Sequence, residues 1–137
     1  MRNRRNRGLS GDGKIGVMEL DKQNQTILVA DDEPVVRAVV GTLLQEAGYP
    51  VLLADGAETA ISLFEQHQAR VALLLTDVRM PKMNGLELAD RILEREPRIR
   101  VLFMSGSDRG ACRGFGCVAK PFTRAELVGR VAAALGR

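Results

Sequence analysis

The chain has 137 residues, 45% of them hydrophobic and 27% charged, which is one domain's worth of ordinary globular usage. Its longest apolar runs, such as Val71 to Leu75, fall far short of the roughly 18 residues that mark a membrane span, and the arginine-rich start lacks the apolar core and cleavage site of a secretory signal. Membrane and exported classes are therefore set aside and a cytoplasmic address is expected. The net charge of +3 resides in residues 1–25, where six basic side chains face only Asp12, Glu19 and Asp21. Residues 26–137 balance their charges and offer no basic nucleic-acid face, so only the tail could supply one.

Residues 1–25 show no sustained hydrophobic period and read as a disordered basic arm, with one domain over residues 26–137. Within the arm, Met18 to Gln25 reads as a short lead-in to a strand, which points to a start of translation at Met18. From Thr26 onward short apolar runs alternate with helical periods. Strands are expected at Ile27 to Ala30, Val51 to Ala54, Val71 to Leu75, Ile99 to Met104 and Cys117 to Ala119, each continuous enough to be buried on both faces. Helical stripes fall on Val36, Val39, Val40, Leu43 and Leu44, on Ala57, Ala60, Ile61 and Phe64, and on Leu127, Val128, Val131 and Leu135. Asp55, Asn84 and Thr123 each stand three residues before a Glu, the spacing of a capping box, and Gly48 is placed to stop the first helix. Alternation with short right-handed crossovers predicts a five-stranded parallel sheet covered by helices on both sides.

Four polar patches sit at the expected strand ends: Asp31-Asp32, Asp77, Ser105-Gly106 and Lys120-Pro121. In an open parallel sheet those ends converge on one crevice. Adjacent acids repel unless a cation lies between them, and an all-oxygen set suits a hard ion such as magnesium. Asp77 at such a point can act as a nucleophile toward a phosphoryl group, with Ser105 and the Gly106 N–H available to its oxygens and Lys120 as a compact positive charge. Taken singly, each patch also has an ordinary reading: Asp32 as a helix cap, Asp77 and Ser105-Gly106 as turn formers, Lys120 as a surface lysine. His67 stands alone and is given no role. Cys112 and Cys117 are too few for a disulfide framework and lack a zinc-like pattern, so they are read as two reduced thiols.

Taken together, Asp31-Asp32, Asp77 in Asp-x-x-Met-Pro-x-Met-Asn-Gly, and Lys120-Pro121-Phe122 resemble the response-regulator receiver domain of two-component signalling, over about residues 26–137. The resemblance implies an α/β flavodoxin-like, doubly wound sheet of order 2-1-3-4-5 and a single-domain regulator that is not an enzyme. It implies that Asp77 accepts phosphate from a histidine kinase or phosphotransfer protein. It also implies that Asp32, Asp77 and the Arg79 carbonyl bind Mg2+ directly with Asp31 acting mainly through water, that Ser105 and Lys120 bind the phosphoryl group, and that the Lys120-Pro121 peptide is cis. Phosphorylation would shift an existing loop equilibrium to control a partner protein.

Two departures stand out. The aromatic residue usual three positions before the lysine is replaced by Cys117, with Phe115 two residues away on the same strand face. Gly106, Gly110, Gly114 and Gly116 dilute the segment before the fifth strand, and since an interior Gly costs roughly 1 kcal/mol relative to Ala, the helix expected there is short or irregular. The family's common dimer face would then be remodelled, giving a monomer or weak dimer. Other classes are an unphosphorylated docking scaffold of the same fold, which has no need of repelling acids, and nucleic-acid association through Arg2, Arg4, Arg5 and Arg7.

Overall fold

The computed structural model describes residues 25–106 and 115–136. The expectations for the N-terminal arm, for Met18 and for the segment between Gly106 and Phe115 lie outside the described residues. Five strands, β1 (Thr26–Ala30), β2 (Val51–Ala54), β3 (Val71–Asp77), β4 (Arg100–Ser105) and β5 (Gly116–Ala119), form one parallel sheet in the order β2-β1-β3-β4-β5. The helices are α1 (Pro34–Glu46), α2 (Ala57–His67), α3 (Gly85–Arg95) and α4 (Arg124–Ala134).

Burial on both faces, expected of all five strands, holds for β1 and nearly all of β3 and β4, whereas the edge strands β2 and β5 are only partly covered, with Leu53 of β2 42% exposed. On one face Leu28, Leu74, Val101 and Phe103 pack with Ala60 and Phe64 of α2 and Leu88 and Ile92 of α3. On the other, Ile27, Val29, Leu75, Leu102 and Met104 pack with Val40 and Leu44 of α1 and Leu127 and Val131 of α4. Fully burying one such side chain contributes roughly 1.5–3 kcal/mol, so both layers are needed to hold the sheet.

Helix ends follow local chemistry. Asn84 and Thr123 form complete capping boxes with Glu87 and Glu126. Asp55 does not cap: the N-cap of α2 falls one residue later, on Gly56, and the Asp55 carboxylate accepts the Thr59 hydroxyl at 2.8 Å. Gly48, at φ 99°, closes α1 in a Schellman turn, with its N–H on Gln45 O and the Tyr49 N–H on Leu44 O.

Because β2 lies on one side of β1 and β3 on the other, the chain reverses direction across the sheet between β1 and β3. The carboxyl ends of those two strands flank the crevice where such folds place their ligands.

Candidate functional site

Asp31 follows β1 directly and is fully buried. Its turn is tightly built: the Glu33 N–H donates to Asp31 Oδ1 at 2.9 Å, and Arg37, one turn into α1, donates to the Asp31 carbonyl at 2.8 Å. Pro34 then opens the helix, where its missing N–H costs nothing. Asp32 lies exposed in the crevice, and Glu33 rather than Asp32 occupies the cap position of α1, without a side-chain cap.

Asp77 is the last residue of β3 rather than the residue after it, held in the ladder opposite Met104. Its carbonyl accepts the Thr76 hydroxyl at 3.0 Å, and its Oδ1 accepts the Arg79 N–H at 3.4 Å. The loop beyond buries Val78 and Met80, turns at Lys82 with φ 68°, and returns so that the Gly85 N–H donates to Val78 O at 2.9 Å. Ser105 likewise ends β4 inside the ladder and is buried, and its carbonyl accepts the Lys120 N–H at 2.9 Å. Gly106 beside it is exposed and open, since a Cβ there would meet nothing within 4 Å. The Lys120–Pro121 peptide is cis.

From the end of β5, Lys120 reaches across the crevice. Its ammonium donates to Asp77 Oδ2 at 3.0 Å, Asp31 Oδ2 at 3.1 Å and Glu33 Oε1 at 3.3 Å. Burial opposes its charge, but the hydrogen bonds and fields of Asp77 and Asp31 outweigh burial and hold its pKa above the usual 10.5. For Asp31, burial dominates. It pushes the carboxyl above its usual 3.8, the Asp77 charge adds to the rise, and the Glu33 N–H and Lys120 only partly offset it.

Asp32, Asp77, Arg79, Ser105, Gly106 and Lys120 thus meet, with Glu33, in one cleft of about 370 Å³, and Asp31, fully buried beside it, is joined to it through Lys120; Cys117 does not line it. The carboxylates whose oxygens come within 4.8 Å of one another are those of Asp31, Glu33 and Asp77. Glu33 was not assigned from the sequence. The signal available was a third consecutive acid, but its meaning depends on a lysine 87 residues away. The oxygen-only donor set suits a hard divalent ion such as magnesium.

Cys117 corrects one expectation: it is disulfide-bonded rather than a reduced thiol. The chain's other cysteine, Cys112, lies outside the described residues. Too few cysteines for a framework does not exclude a single bridge, because bridging depends on proximity rather than number. Cys117 stands in register with Phe103 and packs in the same layer, and Phe115, two residues earlier, meets the Phe103 ring edge-on at 5.9 Å and 69°. The displaced aromatic therefore keeps the face but sits lower on the strand.

Among the described residues no helix is long and apolar enough to cross a membrane. The sequence matches the response regulator receiver domain over residues 27–132. It is 33% identical to the response regulator receiver protein CpdR of Brucella abortus over 77% of this chain and 92% of that protein. It is 36% identical to a stretch of the autoinducer 1 sensor kinase/phosphatase LuxN of Vibrio campbellii, covering 65% of this chain but only 10% of that much longer protein. The crystal structure of the receiver domain of the hybrid histidine kinase CckA superposes with a TM-score of 0.72 at 33% identity, over 80% of this chain and 98% of that one. Sheet order, crevice chemistry and these likenesses agree, and the chain belongs to the response regulator receiver domain family, a signalling domain rather than a conventional enzyme.

Proposed function

We propose that Asp77 is a phosphoacceptor, charged from the phosphohistidine of a sensor kinase or phosphotransfer protein, and that the modified domain controls a partner protein. The observation that carries this reading is the meeting of Lys120 with both Asp77 and Asp31, which brings an ammonium from β5 onto a carboxylate at the end of β3. In the transfer, an Asp77 carboxylate oxygen forms a bond to phosphorus as the bond from phosphorus to the imidazole nitrogen breaks; the electron pair stays on that nitrogen, and because the ring's other nitrogen is protonated a neutral histidine leaves, with an acyl phosphate on Asp77. Lys120 lies where it can balance the phosphoryl charge, while the Ser105 hydroxyl and the Gly106 N–H line the same cleft for its remaining oxygens. Asp31, Asp32, Asp77 and the Arg79 carbonyl would hold Mg2+, which when bound supplies charge neutralisation to the phosphoryl oxygens.

The likeness to stretches of LuxN and CckA, whose names describe kinases, supports a histidine kinase or phosphotransfer donor. A cytoplasmic address, and a monomer or weak dimer, belong to the same reading. Against a purely scaffolding role stands the cost of keeping Asp31 ionised in the interior, which docking would not require. The test is incubation with a small phosphodonor and Mg2+, followed by intact mass. Wild type should gain one phosphoryl group and Asp77→Asn none; equal labelling of both would overturn the assignment.

A further inference from the structure

Lys120 has more carboxylate partners than the proposed transfer uses. Asp77 and Asp31 are inner partners, their side chains 11% and 0% exposed, whereas Glu33 stands at the rim with 59% of its side chain exposed. The backbone that carries the rim carboxylate is nonetheless held in place. Its own N–H is tied to Asp31 Oδ1 and Pro34 follows it directly, so Glu33 and Asp31 belong to one rigid turn.

The close approach of the Asp31, Glu33 and Asp77 oxygens has a cause already present in the structure. Three carboxylates that each lie 3.0–3.3 Å from one ammonium must lie near one another, and Lys120 is that ammonium. The position of Glu33 in the cluster is thus explained by Lys120 without any ion. A divalent cation drawn to Asp31 and Asp77 meets an ammonium that already touches both, and the two positive charges repel. The ammonium can give way only if another anion receives it. Glu33 is already within reach at 3.3 Å, stands at the exposed rim of the cleft, and is screened enough by water to hold the ammonium without trapping it.

Resting on the phosphoacceptor reading above, we propose that Glu33 is a positioning residue for Lys120: it draws the ammonium outward from Asp31, so that a divalent ion can take the inner carboxylates, and it acts through Lys120 rather than as a ligand. The sequence Asp31-Asp32-Glu33 then divides its work, with the first two acids serving the ion and the third serving the lysine.

The test is a double-mutant cycle on Mn2+ binding by the full chain, read from the electron paramagnetic resonance of free Mn2+ because the chain has no Trp to report by fluorescence. Glu33→Gln should weaken binding about fivefold with Lys120 present and less than about twofold in a Lys120→Met background, the coupling expected of residues that act on each other. Equal weakening in both backgrounds would make Glu33 a ligand and overturn the proposal, as would no change in either.

If Lys120→Met does not fold, the Lys120 ammonium resonance of the otherwise wild-type chain, followed by NMR as Mg2+ is added, decides instead. The ammonium should stay protected from exchange with Glu33 present and lose that protection in Glu33→Gln; equal protection in both overturns the proposal. Failure of wild type to bind Mn2+ at all would overturn the phosphoacceptor reading itself, a different result from normal binding that ignores Glu33.

Discussion

Asp31 is costly to the fold. It is fully buried and acidic, and burial holds its carboxyl above the usual 3.8, with the neighbouring Asp77 charge raising it further. A folded-state pKa above the unfolded value means that the folded chain binds the extra proton, so stability falls as pH rises from 3.8 through the raised value. At neutral pH the ionised group is a net cost. Asp31→Asn keeps an acceptor for the Glu33 N–H and leaves Lys120 with Asp77 and Glu33, so no charge is orphaned. The metal-free variant should therefore be more stable than wild type at pH 7 by about 1 kcal/mol, a typical gain when a functional group is traded for stability. Thermal melts in chelator at pH 7 and near pH 3 check this, because the advantage should shrink at the acid end where both chains are neutral at this position. The identities of Asp31, Asp77, Ser105 and Lys120 were legible in the sequence because each sits at the end of an apolar run. The place of Glu33 in the cleft was not, because it rests on a 3.3 Å approach to a lysine that follows β5, far along the chain.

At the scale of elements, the connection from β3 to α3 fixes the position of Asp77. Gly85, the first residue of α3, lies beneath the acceptor so closely that a Cβ there would stand 2.0 Å from the Asp77 carbonyl oxygen and 3.1 Å from the Thr76 hydroxyl. The obstacle is backbone, which cannot rotate aside as a side chain would. Gly85→Ala should cost about 1–3 kcal/mol, the usual range for overpacking. It should also slow phosphorylation by about 10²-fold, since a displacement near 1 Å can cost that much. Urea denaturation paired with the rate of mass gain from a small phosphodonor measures both; a normal rate in a destabilised variant would show that Gly85 supports the fold but not the acceptor.

Strand and helix positions were readable from the period of their apolar residues, and Asn84 and Thr123 announced two helix starts. The strand ends were less so. Asp77 and Ser105 have poor strand propensity, yet the ladder continues through them because Met104 and Ala119 stand opposite. Asp55 failed as a cap because Gly56 took the N-cap position in extended backbone, and the Asp55 side chain bonded Thr59 instead.

Across the whole molecule, Lys120 joins three distant parts of the chain at one point. It ties the end of β5 to the turn after β1, 89 residues away, and to the end of β3, 43 residues away. The order of the polar patches was visible in the sequence, but their convergence depends on a sheet whose two layers of helices bury both faces, and that is a property of the assembled fold. The same convergence makes overall stability depend on the lysine proton. The Lys120 pKa is raised above 10.5 in the folded chain, so its contribution is present in full below 10.5 and is lost as pH climbs through the folded value. Lys120→Met removes that contribution at every pH and leaves Asp31 and Asp77 without their shared cation, a loss of about 2–4 kcal/mol at neutral pH where a largely buried pair is broken. Urea midpoints for wild type and Lys120→Met, compared from pH 8 upward, should therefore converge once pH passes 10.5. A gap that stays constant across that range would mean that Lys120 stabilises the fold by packing its stem rather than by holding three carboxylates with its charge.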